Sequence, residues 1–252
     1  MTGWVLKGLR TGIKSGRYPD APEDAAGISP GRPRGGQTTH AAELAALCPS
    51  DAISEQAGAV EIDYRTCIHC ARCRRDSPAP IAWDSGYEWA GLLPGAEDAS
   101  RKLAEAFGRS LHVRFLDAGA CGACMSEARQ LTNPYYNLHR LGIFLTPTPR
   151  SADILLVAGP VTDAMRLPLR KTYEAMPTPK RVVAIGVCAL SGGVFGPSFA
   201  SGGGVAEIIP VDVAVPGCPP PPLAILHGLL VAVERKPPVA LTSAGSLAER
   251  AT

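Results

Sequence analysis

From Leu111 onward the chain alternates short apolar runs with stretches of helical period. "LHVRFLDAG", "ADILLVAGPV", "RVVAIGVCA" and "VDVAVPGC" are brief, rich in Val and Ile, and each runs into a glycine. Runs apolar on both faces are what a strand buried inside a parallel sheet needs. Between them, "CMSEARQLTN", "DAMRLPLRKTYEAM" and "PLAILHGLLVAVERK" are compatible with helices, Pro168 being a blemish in the second. The pattern predicts βα units in an α/β domain: a doubly wound, flavodoxin-like parallel sheet.

Before residue 111 the elements are shorter. "WVLKGLRTGI" gathers Trp4, Val5, Leu6, Leu9 and Ile13 into a short amphipathic helix. "YPDAPEDAAGISPGRPRGGQTT" is a Pro/Gly-rich connector, extended at best. "AAELAAL" predicts a helical turn, "AISEQAGAVEI" two brief strands about Gly58, and "AEDASRKLAEAF" a helix in the segment joining the halves. The expected organisation is an arm and linker over 1–40, a small α+β domain over 41–95, the doubly wound domain over 96–238 and a flexible tail over 239–252. The arm is either a frayed tail or an element laid on a partner or membrane surface.

A chain of 252 residues, 46% hydrophobic, has material for one sizeable core plus a smaller module. Lys and Arg number 25 against 23 Asp and Glu, a formal charge of +2, too balanced for a nucleic-acid grip. No run approaches the roughly 18 apolar residues that span a bilayer. The start has neither an apolar core nor a small-residue cleavage site, so a cytoplasmic location is expected. In that reducing compartment clustered cysteines point to metal rather than disulfides.

The cysteines stand at 48, 67, 70, 73, 121, 124, 188 and 218, two groups of four. "CIHCARC" followed by "RRDSP" is a bacterial ferredoxin run C-x2-C-x2-C-x3-C-P in which Ser77 occupies the place of the last cysteine. In two-cluster ferredoxins that cysteine ligates the other cluster. "LCPSDAI", around Cys48, looks like the end of a first ferredoxin half whose own three cysteines are replaced by "RGGQTTHAAEL". Both losses strike the same cluster. The other keeps Cys48, Cys67, Cys70 and Cys73, and Ser77 is a vestige. Arg72, Arg74 and Arg75 either offset the anionic thiolates of such a cluster or form a solvated basic loop. Zinc also accepts four thiolates, although the C-P context and the flanking "AI" belong to ferredoxins.

Cys121 and Cys124, Cys188 and Cys218 follow three different strand runs, which places them at the carboxyl edge of a doubly wound sheet, where ligands bind. Gly119, Gly122, Gly186 and Gly217 allow tight turns beside them, and Pro216, Pro219 and the "PPPP" run stiffen the last loop. "SGGVFGPSFASGGG" lacks the Lys-Ser/Thr of a phosphate loop and reads as a loop around Cys188. His69, His112, His139 and His227 have no spacing suited to a second metal or to nickel.

"CGACMSEARQL", "PTPRSADILLVAGPVTDAMRLPL", "AIGVCALSGGVFG" and "VDVAVPGCPPPPLAILHGLL" together resemble the small subunit of group 4, energy-converting [NiFe] hydrogenases, the family of formate hydrogenlyase and of the complex I B-type subunit. "RTGIKSGRYP" and "CPSDAI…CIHCARC" resemble the polyferredoxin subunit of the same complexes, so the chain looks like the two fused. The resemblance implies two [4Fe–4S] clusters: a ferredoxin-type cluster on Cys48, Cys67, Cys70 and Cys73, and a proximal cluster on Cys121, Cys124, Cys188 and Cys218. Glu127 matches the acidic residue that follows the second cysteine in the family, an interface or proton-handling position; an acid in a first helical turn also simply favours the helix dipole. Complex I pairs adjacent cysteines, so C-x2-C here departs toward the hydrogenase form.

The implied role is an electron-transfer subunit without catalytic residues of its own. Implied partners are a hydrogenase-type large subunit, membrane-embedded subunits of the same complex and a further electron carrier, with the assembly peripheral on the inner face of the cell membrane. Two alternatives stand beside it: a subunit of a complex I-like quinone oxidoreductase or nickel-free hydrogenase relative, and a zinc-binding structural module.

Overall fold

The computed structural model describes residues 3–56, 58–77, 81–94, 96 and 110–243. Helix α1 (Gly3–Thr11) buries none of its residues. The connector after it is more ordered than its composition suggested, since it forms strands β1 (Arg32–Pro33) and β2 (Gly36–Gln37). Tyr18 anchors it: the ring is buried and meets Tyr87 edge to face, centroids 5.2 Å apart. The Gly16 N–H donates to the Tyr135 carbonyl and the Tyr135 hydroxyl to Glu23, tying this stretch to the larger domain. Proline-rich backbone has little entropy left to lose, so one buried aromatic orders a long segment.

The small domain follows as α2 (Ala41–Leu47), β3 (Ile53–Gln56), β4 (Ala59–Ile62) and α3 (Arg72–Arg75). Gly58, at φ +76°, makes the turn between β3 and β4. β2 joins them in an antiparallel sheet of order β2-β4-β3, and Leu44, Ile53, Val60, Ile62 and Tyr64 close a small core. β5 (Trp83–Asp84) pairs with β1.

The larger sheet comprises β6 (Gly91–Leu92), β7 (Leu111–Asp117), β8 (Ile143–Leu145), β9 (Ile154–Ala158), β10 (Arg181–Ile185) and β11 (Val213–Val215). Its order is β6-β11-β10-β9-β7-β8, parallel except for β6. The five parallel strands therefore run 2-1-3-4-5, the flavodoxin order, with the switch point between β7 and β9. Alternate residues serve opposite cores. Ile154, Leu156, Val183 and Ile185 meet α4 (Ala123–Gln130) and α7 (Pro222–Ala232); Leu155, Val157, Val182 and Ala184 meet α5 (Asp163–Ala175) and α6 (Val187–Ser191). Burial on both faces is what the Val- and Ile-rich runs demand. β6 and β8 have too few residues to show any period in sequence.

Two expected boundaries move. Trp89 and Ala90 pack in the core of the large domain and Gly91–Leu92 pairs with β11, so the small domain ends before them rather than at 95. Residues 239–243, expected as the start of a flexible tail, form a strap between the domains. The Val239 N–H donates to Ala90, the Tyr64 N–H to Leu241, and the Ile62 N–H to the buried Ser243 hydroxyl at 2.8 Å. Backbone groups at the free edge of the small domain require partners, and small residues fit closely there. The helix expected over "AEDASRKLAEAF" and the chain from 244 lie outside the described residues, except for Ala96.

Candidate metal centres

Cys48 follows directly on α2, Cys67 and Cys70 lie on the loop after β4, and Cys73 is in α3. All four line one cavity, with Pro33, Ile53 and Trp83 among its walls. His69 and Ala71, between these cysteines, sit at φ +52° and +59°, which coils the loop tightly enough to turn three thiols inward. A backbone hydrogen bond from His69 reaches Cys67, and others from the Cys73 and Arg74 backbone reach Cys73.

The second group is assembled by strand order. β7, β10 and β11 end on the same edge: Cys121 lies on the loop after β7 and Cys124 in the first turn of α4, Cys188 lies in α6 just after β10, and Cys218 on the loop after β11. Gly186 has φ +82° and ψ 151°, and a Cβ there would lie 2.6 Å from the Cys124 Sγ. A Cβ on Gly193 would lie 2.7 Å from the Cys188 Sγ. These two glycines leave the sulfurs the room that side chains would fill. Cys121 and Cys218 are exposed, whereas Cys124 and Cys188 are half-buried.

Five of these thiols, Cys67, Cys73, Cys124, Cys188 and Cys218, resist carrying charge as bare thiolates. Burial, and then the neighbouring cysteines, push Cys67 and Cys124 up to about 12 and Cys73 up to about 11, and raise Cys188 and Cys218 as well. Converging thiols in an apolar setting, with backbone hydrogen bonds toward sulfur, suit a positively charged inorganic core that would draw off their protons. The donor sets therefore fit iron–sulfur clusters. Among the described residues, no group of three or more His, Cys, Asp or Glu is placed to hold a single metal ion.

Other expected residues fall elsewhere. Arg72 and Arg75 pair with Asp76 at 3.3 and 2.7 Å, and Arg74 lies over the Trp83 ring, so much of this basic loop is engaged locally. The cation beside the first group is the half-buried Arg32, 4.5 Å above the Tyr64 ring and close enough to depress His69 further after burial has done so. Nothing in the Pro/Gly-rich connector marks Arg32 in sequence. Glu127 is not in the first turn of α4, so the helix-dipole account of it fails; burial raises its pKa, and its charge is felt at Tyr136. His227 is a satisfied core residue: its Nδ1 accepts from the Ala90 N–H at 3.1 Å and its Nε2 lies 3.2 Å from the Pro237 carbonyl.

The family NADH ubiquinone oxidoreductase, 20 Kd subunit, matches residues 121–232, the span that holds Cys121, Cys124, Cys188 and Cys218. A probable membrane-bound hydrogenase subunit of Pyrococcus furiosus is 45% identical over 134 residues, 53% of this chain and 80% of that subunit. Formate hydrogenlyase subunit 7 of Escherichia coli is 42% identical over 125 residues, 50% of this chain and 49% of that one. Among solved structures, a chain of the membrane-bound sulfane sulfur reductase, an archaeal respiratory membrane complex, has 33% identity and a TM-score of 0.47 over 53% of this chain and 73% of its own. A chain of an NAD+-reducing [NiFe]-hydrogenase has 20% identity and a TM-score of 0.42 over 52% and 96%. Residues before 121 lie outside the family match.

Proposed function

Because the chain belongs, through residues 121–232, to the family of the NADH ubiquinone oxidoreductase 20 Kd subunit, we propose that it is the electron-transfer subunit of a membrane-associated, [NiFe]-hydrogenase-type complex, fused to a ferredoxin-like module. The observation that carries this reading is the gathering of eight cysteines, spread from 48 to 218, into two groups of four. When bound, a [4Fe–4S] cluster supplies a one-electron carrier at each group. The chain's own residues do the rest. Cys48, Cys67, Cys70 and Cys73 hold one carrier in the small domain. Cys121, Cys124, Cys188 and Cys218 hold the other at the carboxyl edge of the sheet, where buried walls exclude water on one side.

The opposite side of that second site is open, and its surroundings suit a protein cover. Val194, Phe195 and Phe199, in the loop after Cys188, are 65%, 63% and 99% exposed. Apolar side chains grouped beside an exposed metal site fit a large catalytic subunit docking there, with Glu127 as an acid near that contact. On α1, Trp4, Leu6 and Leu9 are exposed together with the basic Lys7 and Arg10, a surface suited to a membrane-embedded partner or the lipid interface. Among the described residues no helix is long and apolar enough to cross a membrane. A second reading, a complex I-like quinone oxidoreductase subunit, is favoured by the name of the matching family and differs mainly in the large partner.

The test is anaerobic purification of the chain together with its large subunit. Brown protein with two clusters' worth of iron, reducible by hydrogen, supports the proposal; reduction through a quinone couple alone favours the second reading. Colourless protein carrying zinc defeats both.

A further inference from the structure

A single tryptophan joins the two cysteine groups. Trp89 is 1% exposed, and its indole N–H donates to the Pro216 carbonyl at 2.9 Å, two residues before Cys218. Its ring meets the imidazole of His69, between Cys67 and Cys70, edge to face with centroids 5.3 Å apart. The Arg32 guanidinium lies 5.9 Å above the same indole. A second contact runs parallel: the Ser191 hydroxyl, three residues after Cys188, donates to the Arg65 carbonyl, two residues before Cys67, at 3.0 Å. Two of the three cysteine-bearing segments of the large domain, those of Cys188 and Cys218, are thus linked to the cysteine loop of the small one, the second through Trp89.

Simple core packing does not account for this pair. Both ring nitrogens of His69 are buried and have no hydrogen-bond partner among the described residues. Leaving a buried polar atom unsatisfied costs stability, and a leucine would fill the space without that cost. His69 lines the cavity of the first cysteine group, and its ring is set against a second ring that reaches the other cysteine group.

We infer that Trp89, with His69, is the positioning residue for electron transfer between the two sites: the aromatic pair fixes their separation and fills the gap with π-bonded atoms, so the electron crosses inside this one chain. This rests on the reading that both groups hold [4Fe–4S] clusters. The step is a one-electron exchange. The Cys48, Cys67, Cys70 and Cys73 site is oxidised by one electron, the Cys121, Cys124, Cys188 and Cys218 site is reduced by one, and no bond or proton changes place. A low-potential one-electron carrier refills the first site, and the large subunit drains the second.

The experiment uses the full chain with its large subunit, reduced anaerobically with less than one equivalent of dithionite and freeze-quenched, with electron paramagnetic resonance showing which site holds the electron over time. Native protein is expected to equilibrate within the mixing time. Trp89→Ala at unchanged iron content should slow equilibration about a hundredfold or more, so that the electron is still on the first site at the earliest quench; this is the scale on which reacting groups respond to ångström-level misplacement. Trp89→Phe, which keeps a ring and loses the bond to Pro216, should fall between. Native-speed equilibration in fully loaded Trp89→Ala overturns the inference. If that variant does not fold, Trp89→Phe and His69→Leu decide: slower transfer supports the inference, and native rates in both overturn it. A purely structural role would change melting temperature or iron content but not the rate per loaded chain. Native protein with less than two clusters' worth of iron would instead sink the underlying reading, a failure visible before any variant is made.

Discussion

Gly186→Ala should empty the second site while leaving the first intact. The φ of +82° and ψ of 151° at Gly186 fall in a region essentially reserved for glycine, so alanine there costs about 1–3 kcal/mol in backbone strain. At roughly 2–4 °C per kcal/mol for a protein of this size, the melting temperature should fall by about 5 °C. The steric effect is the more damaging one. The new Cβ would lie 2.6 Å from the Cys124 Sγ and 3.5 Å from the Gly217 carbonyl, so the sulfur has to retreat by the better part of an ångström. Metal–ligand distances tolerate shifts of only about 0.2 Å, so a displaced Cys124 cannot serve the same cluster as Cys188 and Cys218. Gly196→Ala isolates the strain: φ is +62° and nothing lies within 4 Å of the added carbon. Iron and sulfide per chain, with thermal melts, should show one cluster's worth for Gly186→Ala and two for Gly196→Ala. Full iron in Gly186→Ala, or equal loss in both variants, would refute the steric reasoning.

Cys48→Ala should lower iron toward one cluster while Ser77→Ala leaves it at two; the reverse result ends the split-ferredoxin account. Asp212 holds the fully buried Arg181 guanidinium at 2.7 Å and also accepts from the Val182 N–H, so Asp212→Ala should lower stability by about 1–3 kcal/mol in urea unfolding, because it removes the acceptor of the Val182 N–H and a charge-assisted bond to Arg181. Burial lowers His227 from 6.5 to about 4. The unfolded chain then takes up the proton first, so stability is complete above pH 6.5 and is lost as pH falls toward about 4, by roughly 3 kcal/mol in all. Urea midpoints near neutral pH and near pH 5 should therefore diverge in native protein and converge in His227→Gln; an equal slope in both would show that another group dominates.

The parallel sheet was legible because a strand buried on both faces leaves a run of Val, Ile and Leu, as in Ile154–Ala158 and Arg181–Ile185, that few other structures tolerate. The cysteine spacings were legible for a similar reason: C-x2-C-x2-C and C-x2-C are local, and local geometry is written in adjacent residues. The edge strands β6 and β8 were not, being too short to show a period and held by neighbours far away in the chain. The ordering of Tyr18 and of residues 239–243 was hidden for the same reason, since composition describes how a segment behaves alone and these segments are ordered by what they lie against. By itself, then, the sequence determined the fold class and the division of eight thiols into two groups. Only the tertiary structure placed the half-buried Arg32 beside the first group, took Glu127 out of the first turn of α4, and set Trp89 between His69 and Pro216. The Arg32 and Trp89 contacts join residues tens to more than a hundred positions apart, and tertiary packing, rather than any periodicity, brings them together.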